Sequence, residues 1–409
     1  MRRIRALALP LAAQALFSAA QVSVTLVGAA LLQPAEWGRI AILLAEFFVV
    51  MAAVRGAGSL PVLVHASGDR ALALALMRPA MSIASLMAVP GALIVAATGW
   101  GLGDPLSGVL LGIGLVGYAR YEAARSARMA AGMYRSVVIV DAALLVVLVA
   151  GSLGTGLVPG HAYLLPFAMS LAYCATAVAS GRTAVEGSVA LGDFVRRYRR
   201  DMPFLALDGL LMAAAMGAFV FIAGALHSVS AAGRFRTAVT LLGGPLQMMQ
   251  NGLGPLVLRA LRSRALRSET GSGWRSLRLP LAIVGGAAVA GGLYLAAVLV
   301  PGSLVFRALG WQTLLEASAL AVGVCALTSC LWIASVWSGY ARYRSASAEI
   351  SVVRAVTLLA SLVGFAALAA LGDLNLAAIV GAIPWFAVPA AHALARARRV
   401  PAAPEIAAG

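Results

Sequence analysis

Apolar runs of about 20 residues, the length that crosses a bilayer as an α-helix, follow one another along almost the whole chain with only short polar breaks. Such a chain folds with lipid as its solvent. In hydrocarbon every backbone group must be satisfied within a helix or a closed barrel, and runs of this length specify helices. Composition agrees, with 62% of the residues hydrophobic and only 11% charged, a balance that leaves too little polar surface for a soluble domain of this size. The formal net charge of +16 would suggest nucleic acid as a partner of a soluble protein. Here the charges are spread over short loops, which suits anionic lipid headgroups and argues against nucleic acid. The opening MRRIRALALPLAAQALFSAA imitates a secretory signal, but the apolar stretch continues through Gln21–Leu32, too long for one. It reads as a first membrane span.

Taken in order, the runs predict twelve spans, six on each side of a basic stretch near the midpoint, Arg182–Pro203. The expected fold class is all-α integral membrane, with two six-helix lobes related by a pseudo-two-fold. The lobes would be residues 1–181 and 202–395, joined by the linker 182–201 and followed by a tail, 396–409. Span 4, about Leu106–Ala119, is short and is expected to continue through Tyr121. All 31 basic residues are arginine; on this layout 26 lie at or beside loops on the side of the two termini. Only Arg39, Arg234, Arg236 and Arg307 lie near the other side, and Arg55 falls inside span 2. Arginine-rich short loops stay in the cytoplasm, so both termini and the Arg196, Arg197, Arg199, Arg200 cluster are expected there.

An internal repeat supports the even count. VGAALLQPAEWGRIAI, from Val27 to Ile42, and IAGALHSVSAAGRFRTAV, from Ile222 to Val239, share a Gly-Ala pair, a polar turn and a Gly-Arg pair. The pairs are Gly38-Arg39 and Gly233-Arg234, offset by 195 residues. With an even number of spans between them, the copies are parallel repeats about an axis along the membrane normal.

Charged and amide side chains inside spans are costly in lipid and mark protein-lined or hydrated interiors. Arg55, flanked by Gly56, Gly58 and Pro61, is either a cavity arginine for an anionic substrate or a paired or snorkelling structural one. Glu46 lies nine residues earlier, on the opposite helix face and ~13 Å away along the axis, so the two do not pair within the helix. Asp141 and Asp208, each about six residues inside a span, read as wetted at the inner interface, with a structural or coupling role, shared with Glu46, as the alternative. Gln14 and Gln21 lie on one face of span 1, and Gln250 clusters with Gln247 and Asn251 in span 8. As a set these amides suit a cavity wall; singly they could tie helices together.

Enzyme chemistry finds no support. Cys174, Cys325 and Cys330 sit in apolar segments without metal-ligand spacing, and His65, His161, His227 and His392 are scattered. No nucleotide-binding, zinc-protease or hydrolase motif occurs, so neither catalysis nor a cofactor nor a metal is expected.

The first span followed by L-x-P-x-E-x-G, here Leu32, Pro34, Glu36 and Gly38, resembles the opening of the polysaccharide flippases of the multidrug and oligosaccharidyl-lipid exporter superfamily. The exit of span 7 resembles that family's second half through Ala232, Gly233, Phe235 and Ala238, although Arg234-Phe235 stands where a tyrosine is usual. The resemblance implies a MATE-like fold in the bacterial inner membrane, with two lobes around a central cavity opening alternately to either side. It implies flipping of a polyprenyl-diphosphate-linked oligosaccharide, membrane lipids as surroundings, and a polymerase or glycosyltransferase as partner. The alternatives are an ion-coupled exporter of small amphipathic molecules and a non-transporting scaffold of an envelope polysaccharide complex. On the flippase reading Arg55 meets the anionic group, and Gln14, Gln21 and Gln250 supply polar wall.

Overall fold

The computed structural model describes residues 2–66, 68–158, 160–181, 188–241, 302–341 and 347–399, with 243, 293 and 296. Gln250, the whole of the expected span 9 except 293 and 296, and the far part of span 8 lie outside these residues. All regular structure among the described residues is helical. The helices are α1 (Arg2–Leu31), α2 (Pro34–His65), α3 (Arg70–Ala75), α4 (Met77–Gly101), α5 (Pro105–Ala130), α6 (Tyr134–Leu157), α7 (Leu164–Gly181), α8 (Leu191–Tyr198) and α9 (Met202–Leu226). After the described start of α10, 229–241, come α11 (Ser303–Ala308), α12 (Gln312–Ser318), α13 (Ala321–Ala341), α14 (Ser347–Ala369) and α15 (Leu374–Arg399).

Local chemistry sets the helix starts. Asp69 accepts from the Leu72 amide at 3.0 Å and Asp104 from the Ser107 amide at 3.2 Å, each capping a first turn. The Pro34–Glu36 motif is a helix start as well: proline occupies the first turn, where its missing N–H costs nothing. Glu36 accepts from the Gln33 amide at 3.2 Å.

Eight of these helices are long and apolar enough to span a bilayer, nine if α12 and α13 count as one span bent by 63°. The fold is thus an all-α, multi-pass membrane protein. Several expectations need correction. Span 4 continues past Tyr121 as expected, but as helix all the way to Ala130, so Arg120, Arg125 and Arg128 stand on α5 and not in a loop. Span 10 is broken between α12 and α13, and the turn before it contains α11. The linker holds a short helix, α8, whose Phe194 and Tyr198 are buried while Arg196 is exposed.

Polarity is inverted relative to a soluble protein. Large apolar side chains such as Leu93, Ile139, Val146 and Leu359 face outward, towards lipid, while Arg125, Glu122, Asp141 and Arg354 are buried. Helices α1, α2, α4, α5, α6 and α7 pack on one another, with α5 in their midst. Helix α9 packs on α14, and α13 and α14 on α15. These two groups meet where α2 runs against α9 and α1 against α12. Close approach requires small residues there: a Cβ on Gly56 would overlap the Leu205 carbonyl, and one on Gly209 the Ala52 carbonyl.

Candidate functional site

Between the two groups of helices lies a cavity of about 330 Å³. Helix α1 gives it Gln14, Phe17 and Gln21, α2 gives Phe48 and Arg55, and α5 gives Tyr118. The far wall is Met212 and Met216 of α9, Arg236 of α10, and Thr328 and Leu331 of α13. Among the described residues, aromatic, thioether and aliphatic surface therefore surrounds two guanidinium groups and two amides. The described wall is amphipathic, and the formal charges on it are positive.

Except for Gln250, which lies outside the described residues, each sequence-predicted residue has a definite place. Arg55 does line the cavity, and it is also paired: its Nε lies 3.3 Å from Glu122 Oε1. Both readings of Arg55, cavity-facing and structurally partnered, describe the same side chain, which keeps 40% exposure while Glu122 is 3% exposed. Gln14 and Gln21 line the cavity with it. Gln21 donates to the Tyr173 hydroxyl at 2.9 Å, and Gln14 Oε1 accepts from Arg125 Nη2 at 3.4 Å. Glu46 faces elsewhere and accepts from Thr98 Oγ1 at 3.1 Å, so it does not join Arg55.

The reading of Asp141 and Asp208 as wetted interface groups is wrong. Asp141 is fully buried, bonded by the Tyr121 hydroxyl and by Arg125 Nε at 3.0 Å. Arg125 also approaches Glu122 at 3.8 Å, and its guanidinium lies 4.4 Å from the Phe17 ring centroid. The result is one chain of alternating charge, Asp141–Arg125–Glu122–Arg55, from inside the first group of helices to the cavity wall. The hydrogen-bonded Arg125–Asp141 pair and the looser ion pairs of Glu122 with Arg125 and Arg55 offset part of the desolvation that isolated ions would suffer there. Asp208 is buried as well, with Arg354 Nη1 at 2.5 Å from its carboxylate and bonded to its backbone oxygen at 3.0 Å. It ties α9 to α14 and takes no part in the cavity.

Sequence reasoning missed Arg236. It reads there as an outer-edge residue, yet seven residues into α10 is about 10 Å of depth. Its guanidinium lies 4.8 Å from the Phe48 ring centroid, and its Nε has no hydrogen-bond partner. No described carboxylate pairs with it, whereas Arg234 meets Glu316 at 3.2 Å. The signal was the GRFR spacing: residues two apart on a helix point to nearly opposite sides, so only one of Arg234 and Arg236 can share the face that meets Glu316.

No family model and no curated protein matches the chain. Solved structures do. One is the crystal structure of a mutant MATE, with TM-score 0.65, 12% identity, and coverage of 96% of this chain and 95% of that one. A second is a MOP superfamily transporter from Pyrococcus furiosus, for which reverse polarity of the binding pocket suggests a different function. It has TM-score 0.64 and 12% identity, covering 97% of this chain and 94% of that one. A third is the eukaryotic MATE transporter AtDTX14, with TM-score 0.62, 13% identity and 96% coverage of both. At these identities the likeness concerns architecture, and over nearly its whole length the chain has the fold of the MATE transporters of the MOP superfamily.

Proposed function

We propose that the chain is an alternating-access membrane transporter, not an enzyme, and that it exports a small amphipathic molecule carrying an anionic group. Support for transport comes from the MATE-like fold. Support for an anion comes from one observation above all: Arg55 and Arg236 face a single cavity from the two groups of helices, and no carboxylate pairs with Arg236 among the described residues. Burying a guanidinium without a counter-ion is unfavourable, and a bound anion relieves that. Phe17, Phe48, Met212 and Met216 would take the apolar part of the molecule. In this reading the two groups of helices are two lobes related by a pseudo-two-fold, and Gln14 and Gln21 supply polar wall.

The cavity volume bears on the choice of substrate. At about 330 Å³ it stands at the low end of ligand pockets, about 300–1,000 Å³, which suits a small amphiphile better than a lipid-linked oligosaccharide. The paired arginines favour a second reading, in which only the diphosphate headgroup of a polyprenyl-linked saccharide enters. Ion coupling would belong to the exporter reading. Translocation by purified protein in liposomes separates these. A small anionic dye should cross, and a cationic dye of similar size should not. Transport of the cationic dye alone would overturn the anion reading, and transport of a short-chain polyprenyl-diphosphate disaccharide in preference to the dye would establish the flippase.

A further inference from the structure

The two copies of the sequence repeat touch one another. Gly38, at the start of α2, lies against the start of α10, where an added Cβ would overlap the Val229 carbonyl. Gly233 lies against Gly38 in turn, and a Cβ there would fall 3.1 Å from the Gly38 Cα. The residue beside this contact, Trp37, is fully buried. Its indole Nε1–H donates to the Gly233 carbonyl at 3.1 Å and to Thr237 Oγ1 at 2.8 Å. On the other side the indole occupies space left free by Gly28 of α1, where a Cβ would overlap the ring. A side chain of α2 is thus socketed between α1 and α10, with both acceptors on α10.

The opposite end of α2 is closed differently. There His65 Nε2 lies 3.3 Å from Asp201 Oδ2, with side-chain exposures of 39% and 52%. A polar contact that wet holds weakly, whereas the Trp37 contact is dry, doubly bonded and large. The closures are also unequal within the repeat. Both copies keep the glycine, but the position 195 residues after Trp37 is Ala232, so only one copy carries the indole.

We propose that Trp37 is the bolt of the gate at the α1–α2 end, expected to be the extracytoplasmic one, and that the gate opens when the indole leaves Gly233 and Thr237. The proposal rests on the transporter reading for its purpose, but on the packing of α1, α2 and α10 for its mechanism. Glycine at 38 and 233 lets the two backbones meet, and Trp37 then holds them. Opening must break two hydrogen bonds and uncover a large aromatic side chain, whereas the far end of α2 is held by backbone packing on α9 at Gly56 and by the exposed His65–Asp201 contact, with no socketed side chain of this kind among the described residues. With the bolt engaged, as it is in this structure, the α1–α2 end is closed.

Distance measurements between spin labels test this without knowledge of the substrate. Labels would be placed at His161→Cys and Leu309→Cys, both exposed and at this end, after replacing Cys174, Cys325 and Cys330 by serine. The wild-type background should show mainly the short distance. Trp37→Ala, and Gly38→Ala, which wedges the contact, should each raise the population at the longer distance several-fold. Thr237→Val, nearly isosteric and so easily housed by the fold, removes one acceptor and should shift it in the same direction by less. Unchanged distances in folded Trp37→Ala and Thr237→Val protein would overturn the bolt. Longer distances in the variants combined with no transport of any tested amphiphile by the wild type would sink the transporter reading and leave the bolt standing.

Discussion

Arg236 and Arg55 look alike as cavity arginines but differ in what holds them. Arg55 is partnered by Glu122, while Arg236 has only the Phe48 ring. If an anion binds between them, Arg236→Ala should lower translocation per folded molecule by at least about tenfold, since a charged hydrogen bond of ~1.5–3 kcal/mol is lost. Arg236→Lys should recover part of it, keeping charge but not the planar fork. Arg55→Ala should reduce transport too and, by leaving Glu122 without its cavity-side partner, reduce the yield of folded protein as well. Unchanged specific activity in both alanine variants would end the anion site. Asp141→Asn should act on folding instead. It neutralises one member of a buried ion pair, for which a loss of ~3–5 kcal/mol is typical, and chemical denaturation in detergent should read it. These roles are only partly legible in the sequence. The depth of Arg55 and the amides at Gln14 and Gln21 point to a cavity. Asp141 misleads because its partner, Arg125, sits in the polar run YEAARSAR, which lowers hydropathy as a loop would and gives no sign that the helix continues.

At the scale of elements, glycine does opposite work in neighbouring helices. Gly112 of α5 meets the Ala92 carbonyl of α4, which a Cβ would approach to 2.8 Å, whereas Gly154 of α6 has nothing within 4 Å. Gly112→Ala should therefore destabilise through crowding, by about 1–3 kcal/mol. Gly154→Ala should stabilise by roughly 0.5–1 kcal/mol, because alanine loses less backbone freedom in a helix. Melting temperatures in detergent would show the two signs, and a stabilised Gly112→Ala would contradict the close α4–α5 approach. The helix-length apolar runs make most of these elements visible in the sequence. The break between α12 and α13 is not visible, because QTLLEASALAVG carries neither proline nor a polar gap and the 63° bend arises in packing. The helix α8 is hidden for a different reason. Its eight residues read as a charge cluster, and its order comes from burying Phe194 and Tyr198, with Tyr198 stacked 5.0 Å from the His65 ring.

For the whole molecule, the arginine bias and the packing together predict an orientation. Ser188→Cys, at an exposed position before α8, should resist an impermeant thiol reagent in intact cells and react after permeabilisation; early labelling would invert the topology. Biosynthesis places a further demand on α5. Its 26 residues include Arg120, Glu122, Arg125 and Arg128, and it is absent from the helices apolar enough to span unaided. An arginine near a helix centre opposes insertion by about 2.5–3.5 kcal/mol; Arg120 comes nearest to the centre of α5, with Glu122 and Arg125 close behind, so α5 arriving alone at the translocation machinery would insert poorly. Its counter-charge, Asp141, arrives one helix later, on α6. The pair should therefore partition into the bilayer as a hairpin, with α5 waiting at the interface until its partner is synthesised. In a reporter of membrane integration, α5 alone should pass through, α5 followed by α6 should integrate, and α5 followed by an Asp141→Asn α6 should integrate less well. The same ion pair that hides charge in the finished structure would then set the order in which its helices enter the membrane.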